Sequence, residues 1–143
     1  MTAKATKEYL MQVGKLNKLI QNKLAEKDQW RAIATNTTTH SDGERVQSSG
    51  SKQKMADAVV RYVEIEREID RCIDEYIERK QEVIRTIEQL PANEYDVLHK
   101  IYIQGIFLED VAEIYGKSYS WVTTVHGKAL KRVQDILERR EKK

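Results

Sequence analysis

From Met55 to Leu90 the chain repeats in a way that leaves one backbone conformation open. Positions 55, 59, 62, 66, 69, 73, 76, 80, 83, 87 and 90 advance by alternating steps of four and three, and they hold Met, Val, Tyr, Glu, Ile, Ile, Tyr, Lys, Val, Ile and Leu. A strand alternates every second residue, so only a helix lines these positions up on one side, as a coiled-coil-like seam. Glu66 and Lys80 interrupt the stripe. Glu75 and Arg79, one turn apart, are expected to pair along it. Pro91 has no N–H to donate and sets the end of the helix just before it.

A stripe this long needs a partner, because each Leu or Ile left in water forgoes roughly 1.5–3 kcal/mol of burial. One candidate precedes it. From Ala5 to about Ala34, Tyr9, Val13, Leu16, Ile20 and Leu24 recur at three- and four-residue steps, followed by Trp30 and Ile33. The intervening residues 35–53 are rich in Thr, Ser and Gly and without period, which predicts a flexible loop. Residues 1–34 hold 7 basic and 3 acidic side chains, against 7 and 10 in residues 54–90. The two helices therefore suit an antiparallel hairpin. The seam is equally suited to pairing with another copy, and both arrangements coexist in a four-helix homodimer.

After Pro91 the elements shorten. Asn93 reads as an N-cap with Asp96 three residues on, and Tyr95, Leu98, Ile101 and Tyr102 line one face of the helix up to Gly105. Leu108–Tyr115 forms a second helix, Gly116 a turn, and Ser118 caps a third that runs into the basic tail. The expected fold is thus all-α: a long antiparallel helical hairpin over 1–90 and a helix-turn-helix domain over 91–143.

The turn contains Gly116-Lys117-Ser118, which invites a nucleotide-binding reading. A phosphate loop needs a glycine five residues earlier and a strand before it; here that position is Val111, inside a helical pattern. The helix-turn-helix reading fits instead. Val111, Ala112 and Tyr115 anchor the first helix, and Val122, Val125 and Ala129 put the anchors of the second on one face. The opposite face presents Tyr119, Ser120, Thr123, Thr124 and Lys128 to base edges or phosphates, with Lys117, Ser118, Lys131 and Arg132 beside them. Residues 117–143 hold 8 basic and 3 acidic side chains, which suits an anionic partner. Trp121 belongs either to that contact surface or to packing against the hairpin. His126 reads as a solvated surface histidine, and the acids of 54–90, spread along one helix among basic residues, do not form a paired-carboxylate site.

The stretch "LEDVAEIYGKSYSWVTTVHGKALKRV", Leu108 to Val133, resembles the fourth region of sigma-70-type factors, and "PANEYDVLHKIYIQG", Pro91 to Gly105, matches the helix that family places before its turn. The whole pattern, with "KMADAVV" and "EREID", is similar to small proteins of Gram-positive phages and prophages, some of whose relatives activate late-gene transcription. The resemblance implies double-stranded DNA as partner, bacterial RNA polymerase as a second contact, and the cytoplasm of a bacterial host as location. Tyr119, Ser120 and Trp121 stand where sigma factors carry Arg-Glu-Arg, Thr124 replaces a Gln, and Phe107 replaces a capping Thr or Ser. A standard −35 element is therefore not the expected target, and Phe107 is expected to substitute an apolar contact for the cap. Small terminase subunits, which also join a helix-turn-helix to oligomerising helices, give a packaging alternative, and a polymerase-binding adaptor that touches no DNA gives another.

No enzymatic role and no cofactor are expected. The single cysteine, Cys72, has no partner for a disulfide, and His40, His99 and His126 lie too far apart for a metal site. The chain has neither 18 consecutive apolar residues nor the apolar core of a secretory signal near its start.

Overall fold

A computed structural model describes residues 1–35 and 49–142. Five helices appear there: α1, Ala3–Thr35; α2, Ser49–Ile87; α3, Ala92–Leu98, continued by a π-helical turn His99–Ile103; α4, Leu108–Tyr115; and α5, Tyr119–Glu141. Among the described residues there is no strand, and no helix is long and apolar enough to cross a membrane. Of the loop expected over 35–53, residues 36–48 lie outside the described residues; Thr35 closes α1 and Ser49 already opens α2.

The chain divides into two compact units. One comprises Met1–Leu16 with Tyr76–Lys143, the other Asn17–Glu75. In the second, α1 and α2 run antiparallel: Lys23 Nζ lies 3.2 Å from Glu68 and Lys27 Nζ 3.3 Å from Glu66, the α2 number falling as the α1 number rises. Lys27 also sits over the Tyr62 ring, 5.4 Å from its centroid.

The seam of α2 is displaced from the expected one. Met55, Tyr62, Ile69, Tyr76, Val83 and Leu90 are buried or half-buried, as the stripe predicts. The alternate positions are Ala58, Ile65, Cys72 and Thr86, not Val59, Glu66 and Ile73. Ala58 and Ile65 are 0% exposed, whereas Val59 is 48% and Ile73 37% exposed. The steps are the same two numbers in the opposite order, three then four, and the sequence holds apolar residues in both registers. The displaced register takes Glu66 off the stripe to pair with Lys27 but puts exposed Arg79 where Lys80 was expected; Lys80 lies half-buried over the Tyr76 ring, and Ile87 of the expected stripe is fully buried. Arg79, expected to pair with Glu75, lies 3.7 Å from Glu82 instead.

In the first unit the start of α1 meets the end of α2. Tyr9 Oη and Thr86 Oγ1 are 2.8 Å apart. Leu10, Val13, Val83, Ile87 and Leu90 form one apolar cluster with Leu98 of α3 and Ala129, Val133, Ile136 and Leu137 of α5. Packing thus crosses residue 90, where sequence placed a boundary. A second cluster, Val97, Val111, Ala112, Val122 and Val125, joins α3, α4 and the first half of α5. At roughly 1.5–3 kcal/mol for each large side chain fully buried, these two clusters hold α4 and α5 in place.

Two local expectations differ. Pro91, not Asn93, precedes α3, and Asn93 Oδ1 accepts from the Glu94 N–H at 2.9 Å from within the first turn. Proline suits the start of a helix because the missing N–H would have no acceptor there. Phe107 precedes α4 with an extended backbone but is 73% exposed, so it makes no compensating apolar contact.

Candidate nucleic-acid interface

The turn between α4 and α5 follows from two residues. Gly116 has φ +63 and ψ 33, a left-handed conformation that costs an ordinary L-residue roughly 1–2 kcal/mol. The Gly116 N–H reaches Glu113 O at 3.1 Å and the Lys117 N–H reaches Ala112 O at 3.0 Å, satisfying carbonyls at the end of α4. Ser118 then starts α5: its Oγ accepts from the Trp121 N–H at 3.0 Å.

Once the turn is set, helical periodicity sorts α5 into two faces. Val122, Val125 and Ala129 are 0%, 6% and 0% exposed, as their spacing predicted. Lys117, Ser118, Tyr119, Ser120, Thr124, Lys128, Lys131 and Arg132 are exposed, and Trp121 and Thr123 are half-buried. No acidic residue occurs between Lys117 and Gln134 in sequence. The N-terminus of α5 adds the positive end of a 23-residue helix.

The side chains of this face are not equivalent. Thr123 Oγ1 and Thr124 Oγ1 both donate to the Ser120 carbonyl at 2.9 Å. Their donors are spent on the helix, so each offers a base edge an oxygen lone pair or a methyl group. Trp121 is half-buried against the cluster of Val97, Val111, Ala112, Val122 and Val125: its ring lies 5.3 Å from that of Tyr115, centroid to centroid, and Lys117 Nζ lies 5.8 Å from it. Arg132 Nε is 2.9 Å from Oε1 of buried Glu94. The approach is off the N–H direction, for Glu94 Oε1 accepts no well-directed hydrogen bond, but charge neutralisation still ties Arg132 to α3. Among the described residues, Lys128 and Lys131 form no ion pair, which leaves their charges free for phosphate.

Behind the face stand two polar contacts that sequence reading missed. His126, expected to be solvated, is half-buried: its Nε2 is 2.8 Å from Tyr102 Oη and the rings are stacked at 5.7 Å. Burial, with Lys7 nearby, lowers the His126 pKa, and burial pushes Tyr102 up to about 12. Spacing left the point open: residue 126 lies four after Val122 and three before Ala129, at the edge of the anchor stripe, where the residue opposite decides burial. Tyr115 donates to Asp96, which Lys100 also pairs at 2.9 Å. Burial alone would raise Asp96; the hydrogen bonds from Tyr115 and Lys100 outweigh it and leave the carboxyl below its usual value. Burial and the same bond push Tyr115 well above the ordinary phenol range. These contacts fasten α4 and α5 to α3.

Residues 36–134 match the family described as protein of unknown function (DUF1492), most of the chain's length. The chain belongs to the DUF1492 family. The matched span takes in α2, α3, α4 and α5 to the end of the exposed lysine face. No curated protein and no solved structure matches this DUF1492 chain. Among its described residues no group of three or more His, Cys, Asp or Glu is placed to hold a metal ion.

Proposed function

We propose that this DUF1492 protein is a phage-type DNA-binding transcription regulator in which α4, the Gly116 turn and α5 act as a helix-turn-helix similar to the fourth region of sigma-70-type factors. The observation that carries the reading is the surface of α5. Tyr119, Ser120, Thr124, Lys128 and Lys131 are exposed on one side of a helix whose other side is anchored by Val122, Val125 and Ala129. Helices of this kind enter the major groove with the residues of their first turns toward base edges. In that arrangement Lys117, Lys128 and Lys131 neutralise phosphates and fix register, while Tyr119, Ser120 and Thr124 read bases. Arg132 contributes less, being held by Glu94.

Fluorescence anisotropy with a labelled duplex tests this. Removing three phosphate-neutralising lysines lowers the slope of log affinity against log salt by about 2.7, at about 0.9 per contact. The variant Lys117→Ala/Lys128→Ala/Lys131→Ala is therefore expected to bind weakly and with a flatter salt dependence than wild type. Equal slopes would count against the assignment.

One observation favours a second reading, a contact on the host RNA polymerase. Phe107 and Ile114 are 73% and 58% exposed, beside exposed Asp110 and Glu113. An apolar pair with an acidic border suits a basic protein surface better than a phosphate backbone. Absence of duplex binding even at low salt would favour this adaptor role over the first reading.

A further inference from the structure

The first turns of α1 lie along α5, inside the compact unit that holds both. Gln134 Nε2 donates to the Met1 carbonyl at 2.7 Å, and the Met1 amine lies 3.3 Å from Glu138. Leu10 and Val13 share a core with Ala129 and Val133. Between those points Lys7 stands close enough to His126 to help lower its pKa. Rising α1 numbers thus meet falling α5 numbers, and the two helices run antiparallel.

The edge of α5 that meets α1 is formed by His126, Leu130 and Gln134, which recur at four-residue steps and are all half-buried. The other edge is tied to α3 through Arg132 and Glu94. Between these edges Thr124, Lys128 and Lys131 are exposed, so α1 forms one border of the face proposed for DNA.

What α1 presents at that border is positive. Thr6, Leu10 and Val13 are its buried stripe, and Tyr9 beside them reaches Thr86 of α2. Helical steps of three and four put Lys4, Lys7, Met11 and Lys15 on a stripe turned away from Tyr9. All four are exposed, and among the described residues none of the three lysines forms an ion pair. Residues 1–16 hold 3 basic side chains and 1 acidic one, Glu8.

We propose, resting on the DNA-binding reading, that Lys4 and Lys7 are phosphate contacts of the same surface, so that α1 meets the DNA backbone beside the groove that α5 enters. Charge and continuity select this occupant. Lys128 and Lys131 on one helix and Lys4 and Lys7 on the other carry unpaired positive charge on adjoining faces, and a helix seated in the major groove brings its neighbours against the flanking phosphates. Phosphate contacts carry no sequence information, so the two lysines supply affinity and register while α5 selects bases.

Fluorescence anisotropy of the full chain on a labelled duplex, over a range of salt, tests the proposal. Lys4→Ala/Lys7→Ala is expected to lower the slope of log affinity against log salt by about 1.8, at about 0.9 per contact, and to weaken promoter and random duplexes by the same factor. Lys52→Ala/Lys54→Ala removes the same charge from exposed residues of the other compact unit and should keep the wild-type slope. A wild-type slope in Lys4→Ala/Lys7→Ala, with Lys117→Ala/Lys128→Ala/Lys131→Ala flattened, would overturn this inference alone. Equal flattening by Lys52→Ala/Lys54→Ala would overturn it by reducing the effect to net charge, and a wild type without salt-dependent duplex binding would overturn it together with the DNA-binding reading.

Discussion

His126 shows how much a single position contributes to this fold. It carries a titratable ring into a half-buried site beside Tyr102, and the site holds its pKa below that of a free histidine. A histidine whose folded pKa is lowered adds stability that is fully present above its unfolded pKa, about 6.5, and is lost as pH falls from there through the folded value. His99, lowered by burial, works in the same direction. The thermal midpoint is therefore expected to fall between pH 7 and pH 5, and His126→Gln should flatten that fall; an unchanged profile in the variant would contradict it. At this scale the anchors Val122, Val125 and Ala129 were legible because three apolar residues at helical steps have one economical arrangement. His126 was not, because a polar residue on the edge of an apolar stripe is decided by whether Tyr102 lies opposite, and nothing local to His126 in sequence says so.

Elements are set by their ends and by which stripe they bury. Ser118 holds the start of α5 through the Trp121 N–H, and loss of such a cap costs about 1 kcal/mol. Ser118→Ala should lower the melting midpoint by roughly 2–4 °C for a chain of this size, read by circular dichroism, whereas Ser118→Asp should retain it. The seam of α2 makes a sharper contrast. Ile65 is fully buried, so Ile65→Ala should cost about 2–5 kcal/mol in chemical denaturation. Glu66→Ala removes only a partly exposed pair with Lys27 and should cost about 1 kcal/mol or less. The existence of both long helices, the end before Pro91 and the turn at Gly116 were all legible in the sequence. The register was not. Apolar residues occupy Ala58 and Val59, and again Cys72 and Ile73, so periodicity alone supports both stripes. What decides is the partner helix, whose Lys27 pairs with Glu66 beside the seam while Ala58 and Ile65 are fully buried.

At the scale of the molecule, packing joins what sequence reading separated. The first turns of α1 and the last turns of α2 share a core with α3 and α5, so the surface proposed for DNA stands on a base built from both ends of the chain. That join was hidden because Ile87 read as part of the hairpin stripe and Leu10 lay outside the α1 stripe, and only their place in one cluster with Val133 and Leu137 gives them this role. The most direct measurement of the central claim is an amide NMR titration of the full chain with a promoter-containing duplex at low salt. The account predicts shifts concentrated at Lys117–Lys131, strongest at Ser118, Tyr119, Thr124 and Lys128, with little change at Val59–Ile73. Shifts confined to other helices, or none at all, would contradict it.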